Sequence, residues 1–288
     1  MQQITLKGVS HTYSDGYHET PALESVDLTV MAGERLAIVG HTGSGKSTLV
    51  QHLNALLQPH SGTVEAFGLT ITQDAKKNRK LGLTKLRQKV GLVFQYPEYQ
   101  LFAETVLEDI MYGPLNFGAS REDAETKAYE MMEVVGLPKT LADRYPLALS
   151  GGQMRRVAVA GILAMNPDVL VLDEPTVGLD PCGQKEMMQL FMELHETLNK
   201  TLIIVTHDMD VVANYAQRLI VMQSKKKVFD GQPHQFFQKR ELVDACKMEL
   251  PHTVELVQSL RQQGIELDEG ILTFEEVIAA LIEEEDAV

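Results

Sequence analysis

Residues 40–48 read GHTGSGKST, and the fold turns on them. Glycine, four residues, then Gly-Lys-Ser is the spacing of a phosphate-binding loop. Gly40, Gly43 and Gly45 let consecutive backbone N–H groups curl inward around phosphate oxygens, with His41, Thr42 and Ser44 between them. Lys46 is then in reach of β- and γ-phosphates, and the Ser47 hydroxyl suits Mg2+. After Ser47 the apolar residues Leu49, Leu53, Leu56 and Leu57 recur at helical spacing, which predicts a helix whose positive end points at the anion.

The surroundings support that reading. Residues 35–39, RLAIV, form a short apolar run ending in glycine, so strand, glycine loop and helix make the first unit of an α/β fold. Upstream, ITLKGVSHTY and LESVDLTV read as strands around a polar loop at 14–20. Residues 74–89 are basic, with Lys76, Lys77, Arg79, Lys80, Lys85, Arg87 and Lys89. They read as a solvated loop and helix face before a nucleic-acid patch. VGLVF (90–94) is a strand. From about Thr105 to Met165 the pattern is helical, with expected breaks at Gly113-Pro114, Gly136-Leu137-Pro138 and Tyr145-Pro146. VLVL (169–172) is uniformly apolar, as a parallel strand covered on both faces is, and TLIIVT (201–206) reads as a second such strand. A helical stretch at 183–198 joins them. Residues 219–222 and 227–229 form a hairpin around Ser224-Lys225-Lys226, an exposed turn.

Composition bounds the function. The chain has 288 residues, 44% hydrophobic and 23% charged, which is ordinary for a globular protein. A net charge of −14 opposes non-specific nucleic-acid binding over the whole surface. No run approaches the ~18 apolar residues of a membrane span; the longest, VAVAGILAM (157–165), reads as core. The first residues, MQQITLKGVS, show no basic region followed by an apolar run, so no secretory signal is expected. Cys182 and Cys246 form neither a disulfide framework nor metal spacing, and no histidine cluster has ligand spacing. A soluble chain in a reducing compartment is expected, with Cys182 incidental. Beyond Ile265 there are nine acidic residues and no Lys or Arg. Thr273 and Glu276 make a capping box there. Phe274, Val277, Ile278, Leu281 and Ile282 then form a helical apolar stripe that must be buried, on its own chain or on another subunit.

Asp173-Glu174 ends the VLVL strand, where open α/β sheets bind ligands. Asp173 could hold Mg2+ through water and Glu174 could polarise an attacking water, although an Asp-Glu pair alone is weak evidence. LSGGQ at 149–153 narrows the reading. With the glycine loop, Gln95, Asp173-Glu174, Gly178-Leu179-Asp180 and Thr206-His207-Asp208, it resembles an ATP-binding cassette ATPase over residues 1–235. The resemblance implies an α/β phosphate-loop ATPase fold with an antiparallel β subdomain, a helical subdomain inserted at about 103–165, and a C-terminal helical extension at 236–288. It implies ATP and Mg2+ as ligands. Tyr13 would stack on adenine, although a half-buried strand tyrosine is the open alternative. Gly40, His41, Thr42, Gly43, Ser44, Gly45, Lys46, Ser47 and Thr48 would cradle the phosphates. Ser47, Gln95 and Asp173 would serve Mg2+, Glu174 would be the general base, and His207 would contact the γ-phosphate. Ser150, Gly151, Gly152 and Gln153 would bind the γ-phosphate held by a second subunit. The serine-glycine turn opens a helix running through Arg155 and Arg156, so it is a second anion site, and ATP between two such subunits would join them.

FQYPEYQLF (94–102) resembles the ATPases of energy-coupling factor transporters and of related cobalt and nickel uptake systems, most closely the second of the paired ATPases. This implies vitamin or metal-ion import. The implied partners are a second cassette ATPase, a transmembrane coupling protein docking near Gln95, and a membrane substrate-binding subunit, with no nucleic acid. The chain would sit peripherally on the cytoplasmic face of the membrane. The competing reading is a soluble cassette ATPase acting on nucleic acid or ribosomes. Lys46 and Ser150 are 104 positions apart, too few for the long coiled coil of DNA-repair relatives, and a small-molecule kinase would have no use for LSGGQ.

Overall fold

The computed structural model of the chain describes residues 1–14 and 16–286. Asp15, in the expected polar loop, and the last two residues of the acidic extension lie outside the described residues. Two sheets organise the rest. The first is antiparallel, in the order β2-β1-β4-β5, from β1 (Gln2–Ser14), β2 (Glu19–Met31), β4 (Ser61–Ala66) and β5 (Leu69–Ile71). The second runs β10-β9-β3-β8-β7-β6, from β3 (Arg35–Val39), β6 (Val90–Val93), β7 (Val169–Asp173), β8 (Thr201–Val205), β9 (Arg218–Gln223) and β10 (Lys226–Gly231). It is parallel except for the β9–β10 hairpin. β4 and β5 are strands that the sequence pattern does not predict.

Uniform hydrophobicity of the central strands follows from double coverage. Val169, Val171, Ile203 and Val205 face one core, shared with the antiparallel sheet and helix α1 (Lys46–Leu53). Leu170, Leu172, Leu202 and Ile204 face the opposite core. That second core is built by α4 (Val106–Asn116), α5 (Arg121–Val134), α6 (Gly151–Ala164) and α7 (Pro181–Leu198). Helices α2 (Ala75–Asn78) and α3 (Leu83–Lys89) carry the basic run and put Leu86 into the first core. A third cluster packs α8 (Met209–Tyr215), α9 (Pro233–Phe237), α10 (Arg240–Ala245) and α11 (His252–Gln262) on Ala37, Val39, Leu219 and Val221.

Three local expectations are corrected. Helix α1 stops at Leu53, because Ala55 takes a left-handed conformation at φ +55°, and Leu56 is exposed. Helix α4 runs through Gly113-Pro114 instead of breaking there: the Phe117 N–H donates to the Gly113 carbonyl at 3.1 Å, so the ladder closes beyond the proline. Gly113 serves packing, since a Cβ there would lie 2.7 Å from Met165 Cγ. In the tail, α12 (Phe274–Asp286) begins with the expected capping box, Glu276 N–H to Thr273 Oγ1 at 3.3 Å and Thr273 N–H to Glu276 Oε2 at 3.0 Å. Its stripe divides. Val277 is buried with Val257, Leu267 and Ile271, and Leu281 packs against them. Phe274, Ile278 and Ile282 are exposed.

Candidate functional site

Sheet order brings the motifs together. β3, β8 and β7 are neighbours, so the segments leaving their carboxyl ends meet in one crevice. A cleft of about 530 Å3 opens there, lined by Tyr13, Thr42, Gly43, Gly45, Lys46, Ser47, Thr48, Gln95, Asp173, Glu174 and His207. Gly40, His41 and Ser44 complete the loop behind this lining; Ser44 is buried, and its N–H donates to the His41 carbonyl at 3.0 Å.

The glycine loop is held tightly. Gly45 sits at φ +103° and caps α1; a Cβ there would lie 2.5 Å from the Ala22 carbonyl oxygen of β2. Only glycine meets both demands. Lys46 Nζ donates to the carbonyls of Gly40, at 2.5 Å, and His41, at 3.2 Å. Burial pushes the Lys46 ammonium below its ordinary pKa, while Glu174 and Asp173 pull it back up. Asp173 is shifted the opposite way: burial raises it, the Glu174 charge raises it further, and Lys46 opposes both. Two acids and one ammonium in a half-buried cleft make a place where added positive charge is favoured.

Glu174 follows β7 in a left-handed conformation, φ +51°, with its N–H donating to the Val205 carbonyl at 2.8 Å. That hydrogen bond ties the end of β7 to the end of β8. Glu174 Oε1 is 2.9 Å from His207 Nδ1, and Thr206 Oγ1 donates to Oε2 at 3.5 Å. A strained non-glycine residue whose carboxylate is held by its neighbours is the kind of feature that clusters at working sites. Tyr13, 45% exposed, has its hydroxyl 3.3 Å from Thr48 Oγ1, so its ring stands at the mouth of the loop.

The LSGGQ turn does not line this cleft. Ser150 caps α6: its Oγ accepts from the Gln153 N–H at 3.3 Å, and Gln153 Oε1 accepts from the Ser150 N–H at 3.2 Å. Gly151 and Gly152 are exposed at the helix start, with nothing within 4 Å of where a Cβ would be. One helix end faces the chain's own cleft and another faces outward.

Sequence reasoning missed part of the lining. Thr20, Pro21, Ala22 and Lys225 also border the cleft. The sequence predicts an exposed turn at Lys225, but its carbonyl accepts from the Glu24 N–H at 2.9 Å, which folds the β9–β10 turn against β2. No local pattern signals that contact. Beyond Gln95, a groove of about 380 Å3 opens between α4 and α6, lined by Leu101, Phe102, Tyr112, Phe117, Ala158 and Ile162 among others. Phe102 is 64% exposed and edges onto Tyr112, ring centroids 4.7 Å apart.

Known proteins agree with this geometry. The family model described as ABC transporter matches residues 23–177. The energy-coupling factor transporter ATP-binding protein EcfA2 of Bacillus subtilis (strain 168) is 51% identical over 264 residues, covering 91% of this chain and 95% of the relative. That of Lactiplantibacillus plantarum is 49% identical over 282 residues, covering 98% and 95%. Among solved structures, cbiO1 from Clostridium perfringens, part of the ABC transporter complex cbiONQ, superposes with a TM-score of 0.72 at 36% identity, covering 89% of this chain and 99% of that one. The ADP- and Pi-bound dimer of the cassette MJ0796 gives 0.70 at 34%, covering 80% and 99%. With a glycine loop, an acid pair and an outward-facing LSGGQ turn on one scaffold, and with relatives this similar over nearly its whole length, the chain belongs to the ATP-binding cassette family, among the energy-coupling factor transporter ATP-binding proteins.

Proposed function

We propose that this chain binds and hydrolyses ATP to power a membrane importer of the energy-coupling factor type, for a vitamin or a metal ion. The observation that carries the reading is the separation of two anion-binding ends on one chain: the cleft around Lys46 and the exposed turn at Ser150. Each chain then supplies half of two composite sites, and ATP closes them.

Within the cleft, the backbone N–H groups of residues 42–46 and Lys46 bind the β- and γ-phosphates, and Tyr13 stacks on the base. The lining fits a hard cation: the Ser47 hydroxyl and the Asp173 carboxylate are oxygen donors, with Gln95 beside them. Among the described residues no group of three His, Cys, Asp or Glu could hold a metal ion. Mg2+ when bound neutralises phosphate charge. Glu174 accepts the proton of the attacking water, and His207 orients Glu174 through the 2.9 Å contact. Ser150, Gly151, Gly152 and Gln153 contact the γ-phosphate on the partner ATPase. The groove at Phe102 and Tyr112 takes a cytoplasmic helix of a transmembrane coupling protein, and a separate membrane subunit binds the cargo. No helix among the described residues is long and apolar enough to cross a membrane. In this reading the chain is the motor, peripheral on the cytoplasmic face.

Glu174→Gln is the test. It should preserve ATP binding, lower kcat by at least 100-fold and trap a paired state in MgATP. Hydrolysis at the wild-type rate would remove Glu174 from the role of base.

A further inference from the structure

The buried charge of Arg155 is not used by the chemistry above, yet its contacts join three functional segments. Arg155 lies on α6, five residues after Ser150, with its side chain only 4% exposed. Its Nε is 3.3 Å from Glu98 Oε2, in the 3-10 turn Pro97–Gln100 that follows Gln95. Its Nη1 donates to the Val177 carbonyl at 2.9 Å, in the loop running from Glu174 to Asp180. Glu98 is itself mostly buried, at 15% exposure. A second contact runs beside the first: Tyr96, held left-handed at φ +55°, puts its ring edge 3.4 Å from the Cβ position of Gly178. From there the connection continues at both ends. The Val177 N–H donates to the Glu174 carbonyl at 3.3 Å, and the turn at 97–100 leads directly into Leu101 and Phe102 on the groove wall.

A buried guanidinium is costly to desolvate, and an apolar side chain of similar volume would pack as well. What the guanidinium adds is a rigid planar fork that can hold a carboxylate and a carbonyl together. A lysine ammonium on a flexible stem can approach either partner but does not fix their relative positions.

We infer that Arg155 is a positioning residue that passes the state of the Phe102–Tyr112 groove to the loop carrying Glu174. Movement of the 97–100 turn when a helix enters or leaves the groove pulls on Glu98. Arg155 transmits that pull to Val177, and so to the residues between Glu174 and the Asp180 cap of α7. The inference rests on the proposed reading of the groove as the docking site for the membrane protein.

The test uses the ATPase pair alone and the same pair assembled with its membrane components in lipid nanodiscs. kcat and KM for MgATP are measured for wild type, Glu98→Gln, Arg155→Lys and the double variant. Glu98→Gln keeps size and polarity, so it guards against a fold lost through Arg155. In both single variants kcat should fall at least tenfold in the assembled transporter and less than threefold in the free pair, with KM within twofold throughout. The double variant should be no worse than the worse single. An equal fall in both preparations would mean that Arg155 only props up the fold, and would overturn the inference. Failure of the groove reading has a different signature: Tyr112→Glu would then retain the membrane protein on affinity purification.

Discussion

His52 ties the stability of the fold to pH. It is fully buried on α1, with Nδ1 2.7 Å from the Thr48 carbonyl and its ring edge-on to His11, centroids 5.0 Å apart. Burial pushes its pKa down from 6.5 to about 4, against the pull of the Thr48 carbonyl. The folded state therefore prefers the neutral ring, and the unfolded chain takes up the proton first. Stability should be undiminished above pH 6.5 and fall as the pH drops toward 4. Between pH 7 and 4.5 this one group should cost about 2 kcal/mol. Urea midpoints of wild type and His52→Phe at both pH values measure it: the variant should lose correspondingly less on acidification. Lys46 makes the other prediction at this scale. Among the described residues its ammonium donates to two backbone carbonyls of the loop, so Lys46→Ala should leave the fold intact. It should weaken ATP binding at least tenfold in a fluorescent-nucleotide titration, and an unaltered affinity would contradict the phosphate-cradle reading.

Among the elements, α12 is the one whose two faces have different fates. Val277 is buried among Val257, Leu267 and Ile271, so a charge there is stranded in an apolar cluster. Phe274, Ile278 and Ile282 recur every four residues along the exposed face, an apolar stripe that the rest of the chain leaves uncovered. Ile278→Glu should therefore weaken association with the partner ATPase while leaving the thermal midpoint within about 2 °C, a surface-sized change. Val277→Glu should lower the midpoint by several degrees. Size-exclusion chromatography and circular dichroism separate the two. The sequence showed the period and the cap of this helix, but periodicity alone could not say which apolar positions the chain itself would cover. Helix α4 teaches the converse: Gly113-Pro114 looks like a breaker locally, yet close packing against Met165 and a closed ladder beyond the proline carry the helix through.

For the whole molecule, the proposed pairing of two ATPase subunits can be tested at the outward turn that Ser150 opens. Gly151 and Gly152 have open space at their Cβ positions, so a side chain there should cost the single subunit little. Gly152→Asp should keep ATP binding to one subunit, because the loop around Lys46 is untouched. It should abolish MgATP-dependent pairing in the Glu174→Gln background, because a carboxylate would then face the partner's γ-phosphate. Light scattering with and without MgATP reads the outcome, and pairing that survived would move the interface elsewhere.

Much of this protein was legible in one dimension because its signals are local. A glycine loop between an apolar run and a leucine-spaced helix specifies strand, anion nest and helix from short-range geometry. Runs of four apolar residues, VLVL at 169–172 and LIIV at 202–205, declare that both faces are covered. What no stretch of sequence contains is the lateral order β3-β8-β7, which sets Asp173, Glu174 and His207 around Lys46 across more than a hundred residues. Nor does it contain the folding of the Lys225 turn onto β2, or the bracket from Arg155 to Glu98 and Val177. Spacing determines which way a side chain points from its own element. Which other element waits there is decided by how the sheets and helices pack, and only the tertiary structure holds that information.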